Sequence, residues 1–334
     1  KNSKDKDRLR YLMIDEVFEK MDPIDYEVNI TERDTDNKRT SYSIDIRVSM
    51  FDDCIRLARI LDIDINDYRK KIISFIPYAM SKTLKDIFLL IPNPSDDEIN
   101  ILLNMYDDTR KDDLQEFHPN SFIEAYKKYK LVGATPIIKR FIENDKILLN
   151  YRLNALRAME DNVHDQYYVK KLFETYIEST NEEKTLAEEC NKILIEKYND
   201  KESILWRLNC IKERKLKTKE EDISDVVSTI PYSEGELYFK NFASPIMKVR
   251  DESLIDNYFE LLKFSFELIN KDSEYKKYSY YIWDIVLKYI ENLKVIGKSK
   301  YLLVLETWVN RNSSKLVDVN WFKHRIQELR KIYL

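Results

Sequence analysis

A chain of 334 residues with only three glycines is poorly suited to Gly-rich phosphate loops and parallel α/β folds, which need positions at φ > 0. Its net charge is −4 with acid and base interspersed, the pattern of a solvated surface and not of a nucleic-acid stripe. No apolar run long enough to cross a membrane and no signal peptide is visible.

Abundant Lys, Glu, Leu and Ile with so little Gly favours helices. Cys54, Cys190 and Cys210 are odd in number and lie mostly far apart. They read as buried helix residues in a reducing, cytoplasmic compartment. The chain begins at Lys1 without a Met, which we read as a fragment of something longer or a processed chain.

In chain order, Asp5 to Met21 predicts a helix ended by Pro23. The period then changes to two: Tyr26, Val28 and Ile30 alternate with polar residues, as do Tyr42, Ile44, Ile46 and Val48. Alternation around the polar stretch from Thr31 to Thr40 predicts a small β-hairpin over about 26–48. Helical periodicity returns over Phe51–Leu61, Tyr68–Met80 (with Pro77 to kink or end it) and Leu84–Leu90. Ser95-Asp96-Asp97-Glu98 is a capping box that opens a helix through about Tyr106. A polar linker precedes a helix starting at His118-Pro119, which carries Phe122, Ile123 and Tyr126. Gly133-Ala134-Thr135-Pro136 predicts the next start, with Thr135 as N-cap and Pro136 at the first helical position.

Helices then follow near Ile137–Glu143, Lys146–Glu160, Asp165–Ile177, Asn181–Tyr198 and Glu202–Arg214, the fourth opened by a second capping box from Thr180 to Glu183. Short connections make neighbours antiparallel. The recurrence of helix pairs at roughly 30 to 45 residues is the spacing of helical-repeat arrays. Residues 226–249, with Pro231, Gly235 and Pro245, read as an irregular linker. Four closely spaced helices follow it. In the second of them Tyr278, Tyr281, Ile282, Ile285, Val286, Tyr289, Ile290 and Leu293 form one apolar stripe of helical period. A helix with such a stripe buries it only against neighbours. The expected fold is all-α, a HEAT/TPR-like helical-repeat solenoid with one small N-terminal hairpin. Its parts are an N-terminal helical region (1–130), a repeat array (131–225) and a C-terminal stack (226–334).

Recognisable chemistry is absent from the sequence. His118, His164 and His324 keep no metal spacing with one another or with a Cys, and there is no H-E-x-x-H, C-x-x-C or G-x-S-x-G. Gly133, Gly235 and Gly297 cannot build a P-loop, so no ATP site of that kind is expected. The acidic pairs Asp52-Asp53, Asp96-Asp97 and Asp112-Asp113 suit helix N-termini better than a cation. Catalytic, cofactor and metal residues are therefore predicted as none. The cluster Tyr275, Tyr278, Tyr280 and Tyr281 exceeds what one helix face can bury. Because exposed tyrosine is favoured at protein interfaces, Tyr275, Tyr278 and Tyr280 are the candidate interface residues.

Ile204-Leu205-Trp206-Arg207-Leu208 followed by Ile211-Lys212-Glu213-Arg214, Ser244-Pro245-Ile246 leading to Asp251-Glu252-Ser253-Leu254-Ile255, Tyr281-Ile282-Trp283-Asp284 with Glu291-Asn292-Leu293, and Asn320-Trp321-Phe322-Lys323 with Arg325 to Arg330 carry a resemblance. Together they resemble the C-terminal helical-repeat region of bacterial NACHT-type STAND NTPases, the prokaryotic relatives of NOD-like receptors. The resemblance covers about 201–334 best and 51–130 loosely. It implies a sensor that recognises an invader protein, often from a phage. Recognition then lets an upstream NTPase, with ATP and Mg, drive oligomerisation and switch on an effector. Neither NTPase nor effector motif is present here, so no catalytic residue carries over. The competing expectations are a free-standing helical scaffold for a cellular protein, and an enzyme whose site is assembled from acidic residues and tyrosines. A helical-repeat nucleic-acid enzyme is a variant of the last, disfavoured by a pI of about 5.7.

Overall fold

The computed structural model describes residues 3–10, 28–33, 39–44, 46–79, 81–107, 119–179, 182–213, 234–271, 276–316 and 319–333. They are overwhelmingly helical, and neighbouring helices pack on one another. The chain divides into two compact units, Lys1–Asp165 and Gln166–Leu334.

The first unit contains α1 (Ser3–Arg10), two antiparallel strands, β1 (Val28–Arg33) and β2 (Arg39–Ile44), with Val28 opposite Ile44, and then α2 (Ile46–Leu61). Ile46 and Val48, expected in the second strand, belong to α2 instead. The rest of the helix expected over 5–21 lies outside the described residues. There follow α3 (Arg69–Ser74), α4 (Ser81–Leu90), α5 (Asp96–Asp107), α6 (Pro119–Tyr129), α7 (Thr135–Glu143) and α8 (Leu149–Asn162). α2, α4, α6 and α8 pack in succession, and so do α3, α5 and α7. This alternation makes two layers, with a core between them that includes Phe51, Phe75, Phe122, Tyr126 and Phe141.

Local chemistry accounts for several boundaries. In the capping box, the Glu98 carboxylate accepts from the Ser95 N–H at 2.7 Å and the Ser95 hydroxyl accepts from the Glu98 N–H at 3.4 Å. Glu98 is also gripped by both arms of Arg69, at 2.8 and 3.0 Å. Pro77 ends α3 by diverting the chain into a 3-10 turn, Ile76–Tyr78. Thr135 is not the N-cap. A 3-10 turn over Val132–Ala134 runs straight into α7, so Thr135 is already helical and its hydroxyl donates to the Val132 carbonyl at 2.6 Å.

The second unit contains α9 (Gln166–Tyr176), α10 (Glu182–Tyr198), α11 (Lys201–Lys212), α12 (Glu234–Met247), α13 (Ile255–Lys271), α14 (Lys276–Asn292), α15 (Val295–Asn312) and α16 (Val319–Tyr333). α10, α12 and α14 pack in succession, α11 packs on α13, and α14, α15 and α16 pack as sequential neighbours. Part of the expected linker over 226–249 is corrected, because Glu234–Met247 is helix with Pro245 inside its last turn; residues 226–233 lie outside the described residues. A proline there removes a single helical bond, and the Lys248 N–H closes the end on the Pro245 carbonyl at 3.2 Å. Thr180 of the second capping box lies outside the described residues.

Helices end without glycine. Asp62, Lys130, His164 and Asn199 follow α2, α6, α8 and α10 at φ of 52° to 55°, the left-handed conformation that closes a helix. The next amides reach back into the preceding turn, Ile63 to the Ala58 carbonyl at 2.9 Å and Leu131 to that of Tyr126 at 3.1 Å. Gly133 is needed for space, not for its torsions: a Cβ there would lie 2.1 Å from the Pro92 carbonyl oxygen.

Candidate recognition surface

The tyrosines proposed as an interface separate. Tyr278 is corrected to a core residue. It is 1% exposed, its hydroxyl donates to the Ile211 carbonyl at 2.8 Å, and its ring packs on Phe239. Helical period explains this, since Tyr278 leads the stripe that faces α11 to α13. Tyr280 is half-buried, stacked on Trp321 of α16 with centroids 5.4 Å apart and packed against Trp283. Tyr275 lies outside the described residues.

Two further tyrosines of this unit are structural too. Tyr258 and Tyr289 stack at 3.6 Å, and their hydroxyls donate to the carbonyls of Ile246 and Asp251, each at 2.6 Å. Burial pushes both phenols above their usual range. Burial likewise raises the Cys54 and Cys210 thiols to about 11, so neither is a thiolate at neutral pH. Trp283 is fully buried, and its indole N–H donates to the Ser265 hydroxyl at 2.7 Å.

Arg207 is a buried cation. It is 2% exposed. Its guanidinium donates to the Asn191 side-chain oxygen at 2.5 Å, to the Glu188 carbonyl at 2.7 Å and to the Phe242 carbonyl. It also lies over the Phe242 ring, 4.6 Å from the centroid. One side chain thus ties α10, α11 and α12 together. Comparisons with protein-family models, curated proteins and solved structures give no match. The sensor resemblance therefore rests on its motif residues alone. In the fold, Ile204, Arg207, Ile246, Trp283 and Phe322 of those motifs are buried.

Among the described residues no three His, Cys, Asp or Glu side chains group as a metal site, and no helix is long and apolar enough to cross a membrane. His164 and His324 are exposed, His324 with Glu328 at 3.3 Å. Asp53 pairs with Arg56 and Asp97 with Lys70. His118 and Asp112-Asp113 lie outside the described residues.

A different surface stands out on α15. Its inner side buries Leu302, Leu305 and Val309, which are spaced i, i+3 and i+7. Its outer side exposes Ile296 (84%), Leu303 (52%) and Val304 (41%). The signal was present in the sequence. Leu302-Leu303-Val304-Leu305 is four consecutive apolar residues, and at about 100° per residue they cannot share one face. Some of them had to point away from the core.

Proposed function

We propose that this chain is a non-catalytic protein-recognition module, the sensor region of a STAND-type NTPase. It binds a foreign protein, such as a phage protein, and thereby triggers oligomerisation of the full-length receptor in the cytoplasm. In this reading the helices continue as a HEAT/TPR-like repeat array, with the hairpin near its N-terminus as an appendage. The observation that carries it is the exposed apolar side of α15, since solvent-facing apolar residues grouped on one helix mark protein-binding sites. The motif residues quoted above supply the family, and the layered packing supplies the kind of scaffold on which such surfaces are built. The free-standing scaffold for a cellular partner uses the same surface and parts from the sensor at the gene.

Two measurements test the reading. Sequencing the source locus in frame upstream of Lys1 should reveal G-x-x-x-x-G-K-[ST]. A stop codon followed by a start near Lys1 removes the sensor and leaves the scaffold. Size-exclusion with light scattering on mixtures with purified phage structural proteins, one at a time, should show a stoichiometric complex. A complete panel without one counts against foreign-protein recognition.

A further inference from the structure

Along the outer side of α15, Ile296, Lys300, Leu303, Val304, Thr307 and Arg311 fall at i, i+4, i+7, i+8, i+11 and i+15, one continuous stripe. All six are exposed. The stripe contains two cations and no anion. The carboxylate of α15, Glu306, is turned off the stripe and held by Arg330 of α16. Lys300 sits over the Tyr301 ring at 4.9 Å, and neither it nor Arg311 has an ion-pair partner among the described residues. The stretch of sequence that carries the stripe is basic as well. Residues 294–334 hold nine Lys and Arg against three Asp and Glu, a net of +6 in a chain whose total is −4. The preceding 293 residues therefore carry −10.

From this we infer that the α15 stripe docks an acidic amphipathic helix of the recognised protein. The inference rests on the recognition reading and names the chemistry of the partner. Apolar residues at helical spacing form a ridge into which a second helix packs. Glu or Asp on the flanks of that helix would meet Lys300 and Arg311, giving steering and register. A lipid surface fits less well. Lys300 and Arg311 lie within the stripe of Ile296 and Leu303, whereas membrane-surface helices keep their cations on a separate polar face.

The test uses the full chain and a fluorescein-labelled synthetic helix of about five turns, with Leu along one face and Glu on both flanks. Controls are the same peptide with Lys for every Glu, and vesicles of phosphatidylcholine and phosphatidylglycerol. The expected result is saturable anisotropy with the Glu peptide, weakening as salt rises, and none with the Lys peptide. The charge-reversed K300E/R311E should lose at least about tenfold in affinity for the Glu peptide and gain affinity for the Lys peptide. I296S/L303S should bind neither peptide, because the apolar ridge is gone. All four residues are exposed, and circular dichroism matching the parent verifies that the variants fold.

Equal binding of the Glu peptide by parent and variants, no peptide binding, or binding to vesicles alone each overturns the inference. Its failure separates from that of the sensor reading. A phage protein that binds parent and K300E/R311E equally keeps the sensor and overturns the α15 site. A charge-swapped peptide response with an empty phage panel does the reverse.

Discussion

Replacing Arg207 tests whether one buried guanidinium, held by oxygens of two other helices, can be a principal fastening of the second unit. Arg207→Met keeps much of the side-chain volume and removes every donor. The Asn191, Glu188 and Phe242 oxygens are then buried without it. The Asn191 oxygen loses its donor, at a cost of about 1–3 kcal/mol, the two helical carbonyls each lose a second bond, and loss of the contact with the Phe242 ring adds up to about 2. Relaxation and water entry return part of this, so a net loss of about 3–5 kcal/mol is expected. Arg207→Lys is the sharper variant. It keeps the charge, but an ammonium cannot reproduce the planar fork that reaches three acceptors on two helices. It should lose about 2–4 kcal/mol. Urea unfolding followed by far-UV circular dichroism reads both as shifts of midpoint at constant slope. A lysine variant within about 1 kcal/mol of the parent would refute the account, because charge alone would then suffice.

Four further variants probe other links. Ile282 is fully buried in α14, so Ile282→Ala should cost about 2–5 kcal/mol; a loss under about 1 in the same urea assay means that the face is not core. Arg69, the Ser95 N–H and the Ser95 hydroxyl hold the Glu98 carboxyl below its ordinary value. A depressed folded pKa stabilises above the unfolded value of about 4.3 and fades as pH falls through the folded one. Glu98→Gln should therefore be less stable by about 1–3 kcal/mol at pH 7, with the gap closing on acidification below about pH 4; a gap that stays constant with pH contradicts this. Gly133→Ala drives a methyl group against backbone and should cost about 1–3 kcal/mol. Gly297→Ala meets the Glu252 carboxylate at 2.6 Å, a side chain that can swing aside, so thermal melts should show the smaller loss there.

Where the sequence could be read, one physical term dominated. The Ser95–Glu98 box is local, and both of its bonds formed. The α14 stripe was equally plain, but only half of the helix was seen. Ser279, Trp283 and Leu287 are buried as well, because α12, α13 and α15 surround α14. The narrow polar remainder of Asp284, Lys288 and Glu291 was the clue. Pro245 misled because the helix runs only two residues beyond it, so a single helical bond is removed. Arg207 could not be found from composition, since its burial depends on three oxygens from two other helices. The tyrosine cluster failed as a surface for a related reason. Excess over one face says that some tyrosines leave the core, but the partner helices decide which.

The Tyr278 hydroxyl and the Ile211 carbonyl are 67 residues apart. Most other fastenings of the second unit join helices that are next or next but one along the chain. A chain joined in that way peels from its end, each helix lost at the expense of its immediate neighbours. Fraying that starts at α16 can take α15 with it in this manner. At α14 it meets a clasp whose other half sits on α11, so we expect peeling to stop there and the remainder of the unit to open as one body.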